Sequence, residues 1–128
     1  MHPNTRALIA ASAFAAITGR KVAGLYDHTA GEHVRIAAER QGDRLQAVDG
    51  ERSATLGGTL PDLYDGKTFV SLVVEGSRAS GYDRGSHGHY VADVTDRVIQ
   101  LYDYNQATWF AFEAQVVEPG APASVALA

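Results

Sequence analysis

The sequence predicts a mainly β fold in which antiparallel hairpin repeats form a closed or nearly closed, barrel-like meander of about 8–10 short strands, with one N-terminal α-helix. Three observations predict it. A Tyr-Asp dipeptide or a close variant recurs five times, as Tyr26-Asp27, Val48-Asp49, Tyr64-Asp65, Tyr82-Asp83 and Tyr102-Asp103. Each copy ends a short run of β character and leads, through a few turn-forming residues, into a second such run. The segment before the first copy is apolar and rich in alanine.

Residues 1–19 are expected to form the helix. Asn4 is placed to cap the first free N–H groups, and Gly19 is a stop signal, with Arg20 and Lys21 at the negative end of the helix dipole. Leu8, Ile9, Phe14 and Ile17 are spread around the helix with alanines between them, so it is expected to pack on the core, covering an end or a face of the barrel. The same stretch, Ala7 to Ile17 behind Arg6, has the composition of a secretory h-region. It falls short of the roughly 20 apolar residues that span a bilayer, and its small triplet Ala11-Ser12-Ala13 lies inside the apolar run rather than after it.

Residues 20–117 read as a single β-repeat domain. The first run of each repeat covers 22–27, 44–49, 61–65, 79–83 and 98–103; the second covers 33–39, 52–60, 68–75, 89–94 and 108–116. Pro61 sits at a strand start, where a missing N–H is tolerated, and Gly57-Gly58 suggests a bulge or a close backbone contact. Residues 118–128, with Pro119 and Pro122, read as a flexible C-terminal tail.

Side chains alternate across a strand, so each repeat can be oriented. One position before the tyrosine stand Leu25, Ala47, Leu63, Gly81 and Leu101; three before it stand Ala23, Leu45, Pro61, Ala79 and Ile99. That is the core face. The tyrosines share the other face with Gly24, Gln46, Asp62, Ser80 and Gln100 and are expected to be partly solvated. Each aspartate returns to the core side at the strand end, where its carboxylate can accept backbone N–H groups and shape the turn.

Composition narrows the function classes. A net charge of −4 without a Lys/Arg run argues against nucleic acid and against an anionic membrane surface as partners. The absence of cysteine removes thiol nucleophiles, thiolate metal sites and disulfides, and makes a cytoplasmic location the expectation, with export through an N-terminal signal as the alternative.

The repeated dipeptide resembles the Tyr-Asp β-hairpin repeats of large bacterial shell and toxin-delivery proteins. Those repeats continue after Tyr-Asp with two residues, a glycine and a basic residue, which no copy here does. The resemblance implies a hairpin repeat of bacterial type and transfers no functional residue.

Two functional readings follow. Tyr26, Tyr64, Tyr82, Tyr90, Tyr102 and Tyr104, with Trp109, can form an aromatic surface for a protein, peptide or glycan partner, or for a second copy of the chain. This favours a non-enzymatic binding or structural module. The alternative is a small metal-dependent or acid–base enzyme. His28 and His33 bracket one turn and His87 and His89 another, and if the two hairpins lie side by side the four imidazoles could gather around a divalent metal, the one cofactor these residues suggest. No H-E-x-x-H motif, nucleotide-binding glycine loop or Ser-His-Asp pattern is present, and Glu32, Glu39, Glu51 and Glu75 read as solvated charge.

Overall fold

The computed structural model describes residues 1–117, and the expected flexible tail lies outside the described residues. The chain runs through α1 (Pro3–Thr18), β1 (Val22–Asp27), β2 (Glu32–Val34), β3 (Ile36–Gln41), β4 (Arg44–Asp49), β5 (Ala54–Thr59) and β6 (Asp62–Tyr64). It continues through β7 (Phe69–Ser71), β8 (Val73–Glu75), β9 (Arg78–Asp83), β10 (Gly88–Thr95), β11 (Val98–Asp103) and β12 (Thr108–Val116). The second runs of the first and third repeats are each divided, at Arg35 and at Leu72, so β2 with β3 and β7 with β8 form two bent staves. Counted so, the result is a closed antiparallel barrel of ten staves in chain order. β1 closes it by pairing with β12, and Val117 N donates to Lys21 O just beyond the last register pair. Closure leaves few strand edges for non-native pairing.

The two ends of the barrel differ. The Tyr-Asp turns gather at one end; at the other, two-residue turns join β3 to β4, β5 to β6, β8 to β9 and β10 to β11. α1 begins at the Tyr-Asp end and runs through the lumen. Ile9, Ala10, Ala11, Ser12, Ala13, Phe14 and Ala15 have no exposed surface although they point in all directions around the helix. A helix apolar all round must be buried all round. An eight-stranded barrel is just wide enough to be filled by side chains or to hold one small ligand, and a wider barrel needs more substance inside. The alanines of α1 keep the helix narrow, and Ala38, Ala47, Ala79, Ala92 and Ala114 on the inner wall leave it room. Ser12 Oγ donates to Leu8 O at 2.7 Å, so the one hydroxyl on this buried stretch is satisfied.

Several expectations are corrected here. α1 does not cover an end or a face but occupies the lumen, because its apolar residues form no stripe. Its N-cap is His2, whose Nδ1 accepts Asn4 N–H at 3.1 Å; Pro3, with no N–H to satisfy, suits the first helical position and moves the cap one residue ahead of it. Arg20 and Lys21 lie past the Gly19 cap, and the carbonyl of Ala16 is instead capped by Arg40 from β3. A bulge between Val22 and Gly24 turns Ala23 outward, and Pro61 falls in the β5–β6 turn rather than on the core face. Gly58 meets the expected close contact: at φ 145°, a Cβ there would lie 2.9 Å from Asp62 O.

Candidate binding surface

The aspartates of the repeats build one turn several times over. Asp27 Oδ1 accepts from Thr29 and Ala30 N, Asp49 Oδ1 from Glu51 and Arg52 N, Asp65 Oδ1 from Lys67 and Thr68 N, Asp83 Oδ1 from Gly85 N, and Asp103 Oδ1 from Asn105 and Gln106 N. Four of these loops close through a residue in the left-handed region: Gly31, Ser53, His87 and Ala107, with φ of 70°, 55°, 55° and 52°. The carboxylates stand at the end of the barrel where α1 presents its free N–H groups and partial positive charge. Asp103 is fully buried and receives Arg6 Nη1 at 3.3 Å, while the Arg6 guanidinium lies 3.8 Å from the centre of the Phe110 ring and donates to Met1 O. Asp49 takes Arg52 Nη1 at 3.0 Å, and Asp83 takes Ser86 Oγ at 2.8 Å. In Asp49, Asp83 and Asp103 both carboxylate oxygens are therefore engaged within the fold.

The tyrosines before them face outward, each beside the first or second residue of the next strand. Tyr26 pairs with His33, Tyr64 with Phe69, Tyr82 with His89 and Tyr102 with Trp109, and Val48 stands opposite Thr55 in the variant copy. Ring centroids in these aromatic pairs are 4.7–5.1 Å apart. His33 and His89 are therefore cross-strand partners of a tyrosine. His28 also packs on Tyr26 and faces Glu113 at 3.5 Å, and His87 Nδ1 meets the Tyr82 hydroxyl at 3.3 Å. The two histidine hairpins are not side by side: the β11–β12 hairpin stands between them. Among the described residues, no group of three or more His, Cys, Asp and Glu side chains is placed to hold a metal ion.

Tyr90 does not belong to the outer aromatic set. It points inward, is 1% exposed, and donates its hydroxyl to Ser71 O at 2.7 Å; burial raises its pKa far above the ordinary tyrosine value. It lies over Gly81, its partner on β9, where a Cβ would stand 1.8 Å from Ser71 O. Only glycine fits there. At this point the ladder between β7 and β9 is interrupted, and Tyr82 N donates to Ser71 Oγ at 2.9 Å instead of to a carbonyl.

That interruption opens the outer surface. A groove of about 490 Å³ runs over Ser80 and Gly81 between Val73, Tyr82, His89, Val91 and Tyr104. A second, of about 470 Å³, lies on the other side of Tyr82 against Asp62, Phe69, Ser71 and Arg84. Register makes them one feature. Asp62 pairs with Ser71, Ser71 lies beside Tyr82, Tyr82 pairs with His89, and Tyr104 N donates to His89 O, so the four strands and the start of the β11–β12 turn present one row across the barrel wall. A parallel row carries Val73, Ser80, Val91, Tyr102 and Trp109. Phe69, Tyr104 and Trp109 are 49%, 55% and 51% exposed. Of the expected aromatic residues, Tyr82, Tyr102 and Trp109 are brought together here with Tyr104; Tyr26 stands on the far side of β12, and Tyr64 adjoins the groove through Phe69.

The sequence reading did not single out Asp62 and Arg84 as site residues. Their one signal is position, Asp62 two residues before Tyr64 on β6 and Arg84 directly after Asp83 in the turn that follows β9. Among the described residues, no helix is long and apolar enough to cross a membrane. Comparison with family models, with curated proteins and with solved structures finds no match for this chain.

Proposed function

We propose that this chain is a non-enzymatic binding module whose working surface is the outer wall of β7 and β9–β12, around Tyr82, Tyr102, Tyr104 and Trp109. The observation that carries the reading is the division between inside and outside. Barrels of this size commonly take a ligand in the lumen, but here the lumen is filled by α1, while the outer wall carries an aromatic groove floored by small residues. Aromatic rings offer large contact area at little cost in side-chain entropy. The enzyme alternative gains no support from the histidine turns, whose rings pack on tyrosines of their own hairpins.

The test is a titration of isotope-labelled protein, followed by amide NMR shifts, with neutral oligosaccharides, a proline-rich peptide and zinc. Shifts concentrated at Tyr82, His89, Tyr104 and Trp109 with an organic ligand are the expected result. Silence of that wall toward every organic ligand, or zinc shifts that gather both histidine turns, would overturn the reading.

A further inference from the structure

Resting on the binding-module reading, we infer that the groove divided by Tyr82 takes a neutral carbohydrate chain. Tyr82 is its centre: one side of the ring borders the groove that ends at Tyr104, the other the groove that ends at Phe69 and Arg84. A sugar ring presents an apolar C–H face and a rim of hydroxyls, so it needs an aromatic plane beneath and hydrogen-bonding groups at the side. Phe69 and Tyr104 supply exposed ring surface on either side of Tyr82. Asp62 and Arg84 supply an acceptor and a set of donors, and among the described residues neither side chain is engaged in a hydrogen bond or ion pair.

Charge selects the class of ligand. The groove holds one carboxylate and one guanidinium, so its field favours neither an anion nor a cation, and the net charge of −4 on the whole chain works against polyphosphates. An extended peptide adding itself as a strand would need a long free edge, and the open edge nearest the groove, β8, has three residues. Four strands and the adjoining turn lie under the row from Asp62 to Tyr104, roughly 19 Å at ~4.8 Å per strand. That length suits several linked sugar units rather than one.

The experiment is native gel electrophoresis of the full chain through gels containing glycogen, laminarin, xylan or mannan, with Tyr82→Ala, Arg84→Ala, Asp62→Ala and Tyr26→Ala variants run alongside. The expected result is retardation by at least one polysaccharide that is lost in Tyr82→Ala and Arg84→Ala and kept in Tyr26→Ala. Should Tyr82→Ala melt early, Arg84→Ala and Asp62→Ala decide, because their side chains hold nothing in the fold. Retardation by none of the four, or retardation indifferent to Arg84 and Asp62, overturns the carbohydrate assignment. A proline-rich peptide shifting the Tyr82 and Tyr104 amides would then leave the binding wall standing with a different ligand, whereas silence toward peptide and sugar alike would remove both.

Discussion

Replacing Asp103 by Ala should cost far more than the same change at Asp65, although both residues sit at the same place in the repeat. Asp65 is half-buried, and its carboxylate accepts two backbone N–H groups at 2.8 Å; losing it leaves those groups to water and should cost about 1 kcal/mol. Asp103 is fully buried. Its removal takes away the acceptor of Asn105 N and Gln106 N and strips the counter-charge from Arg6, whose side chain is only 11% exposed. Breaking a buried pair from one side typically costs about 3–5 kcal/mol, because the remaining charge is stranded. Phe110 beneath the guanidinium softens that cost without cancelling it. Urea unfolding followed by circular dichroism measures both variants on one scale. A double variant, Arg6→Met with Asp103→Ala, should recover part of the loss, since it removes the stranded guanidinium and leaves only the Met1 amino group, 3.5 Å from Asp103 Oδ2, without its carboxylate. If Asp103→Ala falls within about 0.5 kcal/mol of Asp65→Ala, or the double variant loses the sum of the single changes, the buried pair does not organise this end of the barrel.

Two further outcomes follow from the same geometry. Ala107 and His87 hold positive φ at the loop position that Gly31 fills in the first repeat, so Ala107→Gly and His87→Gly should each raise stability by about 0.5–1 kcal/mol in urea melts; a loss in both would contradict the left-handed turn. Because burial raises the Tyr90 pKa in the folded state, its stabilising share is fully present below the unfolded tyrosine value near 10.0 and shrinks as pH rises above it. Alkaline absorbance titration should accordingly show one phenol ionising only as the barrel unfolds, and Tyr90→Phe should delete that phase; a Tyr90 that ionises in the intact barrel would refute its burial.

Much of this fold is readable locally, and what escapes the reading is what depends on closure. An aspartate at each strand end announces its own turn because the Asx bonds span two or three residues, and all five turns form as their sequence implies. Alternation sorted inward Leu25, Ala47, Leu63 and Leu101 from outward Tyr26, Tyr64, Tyr82 and Tyr102, and failed at Ala23, where a bulge adds a residue that no periodicity reveals. The lumenal position of α1 needs the whole barrel as context. Its signal was nevertheless present, since Leu8, Ile9, Phe14 and Ile17 on different sides leave no face for water. The histidines suggested a metal because they bracket turns. The stronger regularity is the spacing of seven that sets His33 behind Tyr26, His89 behind Tyr82 and Trp109 behind Tyr102, which marks cross-strand partners. The groove was hidden because it depends on the register of successive strands and on a single displaced hydrogen bond at Ser71.

That α1 fills the lumen decides where a ligand can bind, and one thiol reports on it directly. The chain contains no cysteine, so Ser12→Cys places a near-isosteric, unique thiol at a position with no exposed surface, and Ala37→Cys places one on the outer wall as a reference. In native buffer a thiol-specific reagent should modify Cys at position 37 at its intrinsic rate. At position 12 it should react slower by about a thousandfold or more, at a rate set by unfolding and accelerated by urea. Equal labelling of the two positions in the folded protein would mean that the helix lies outside the barrel, and the lumen would then return as the place to look for a ligand.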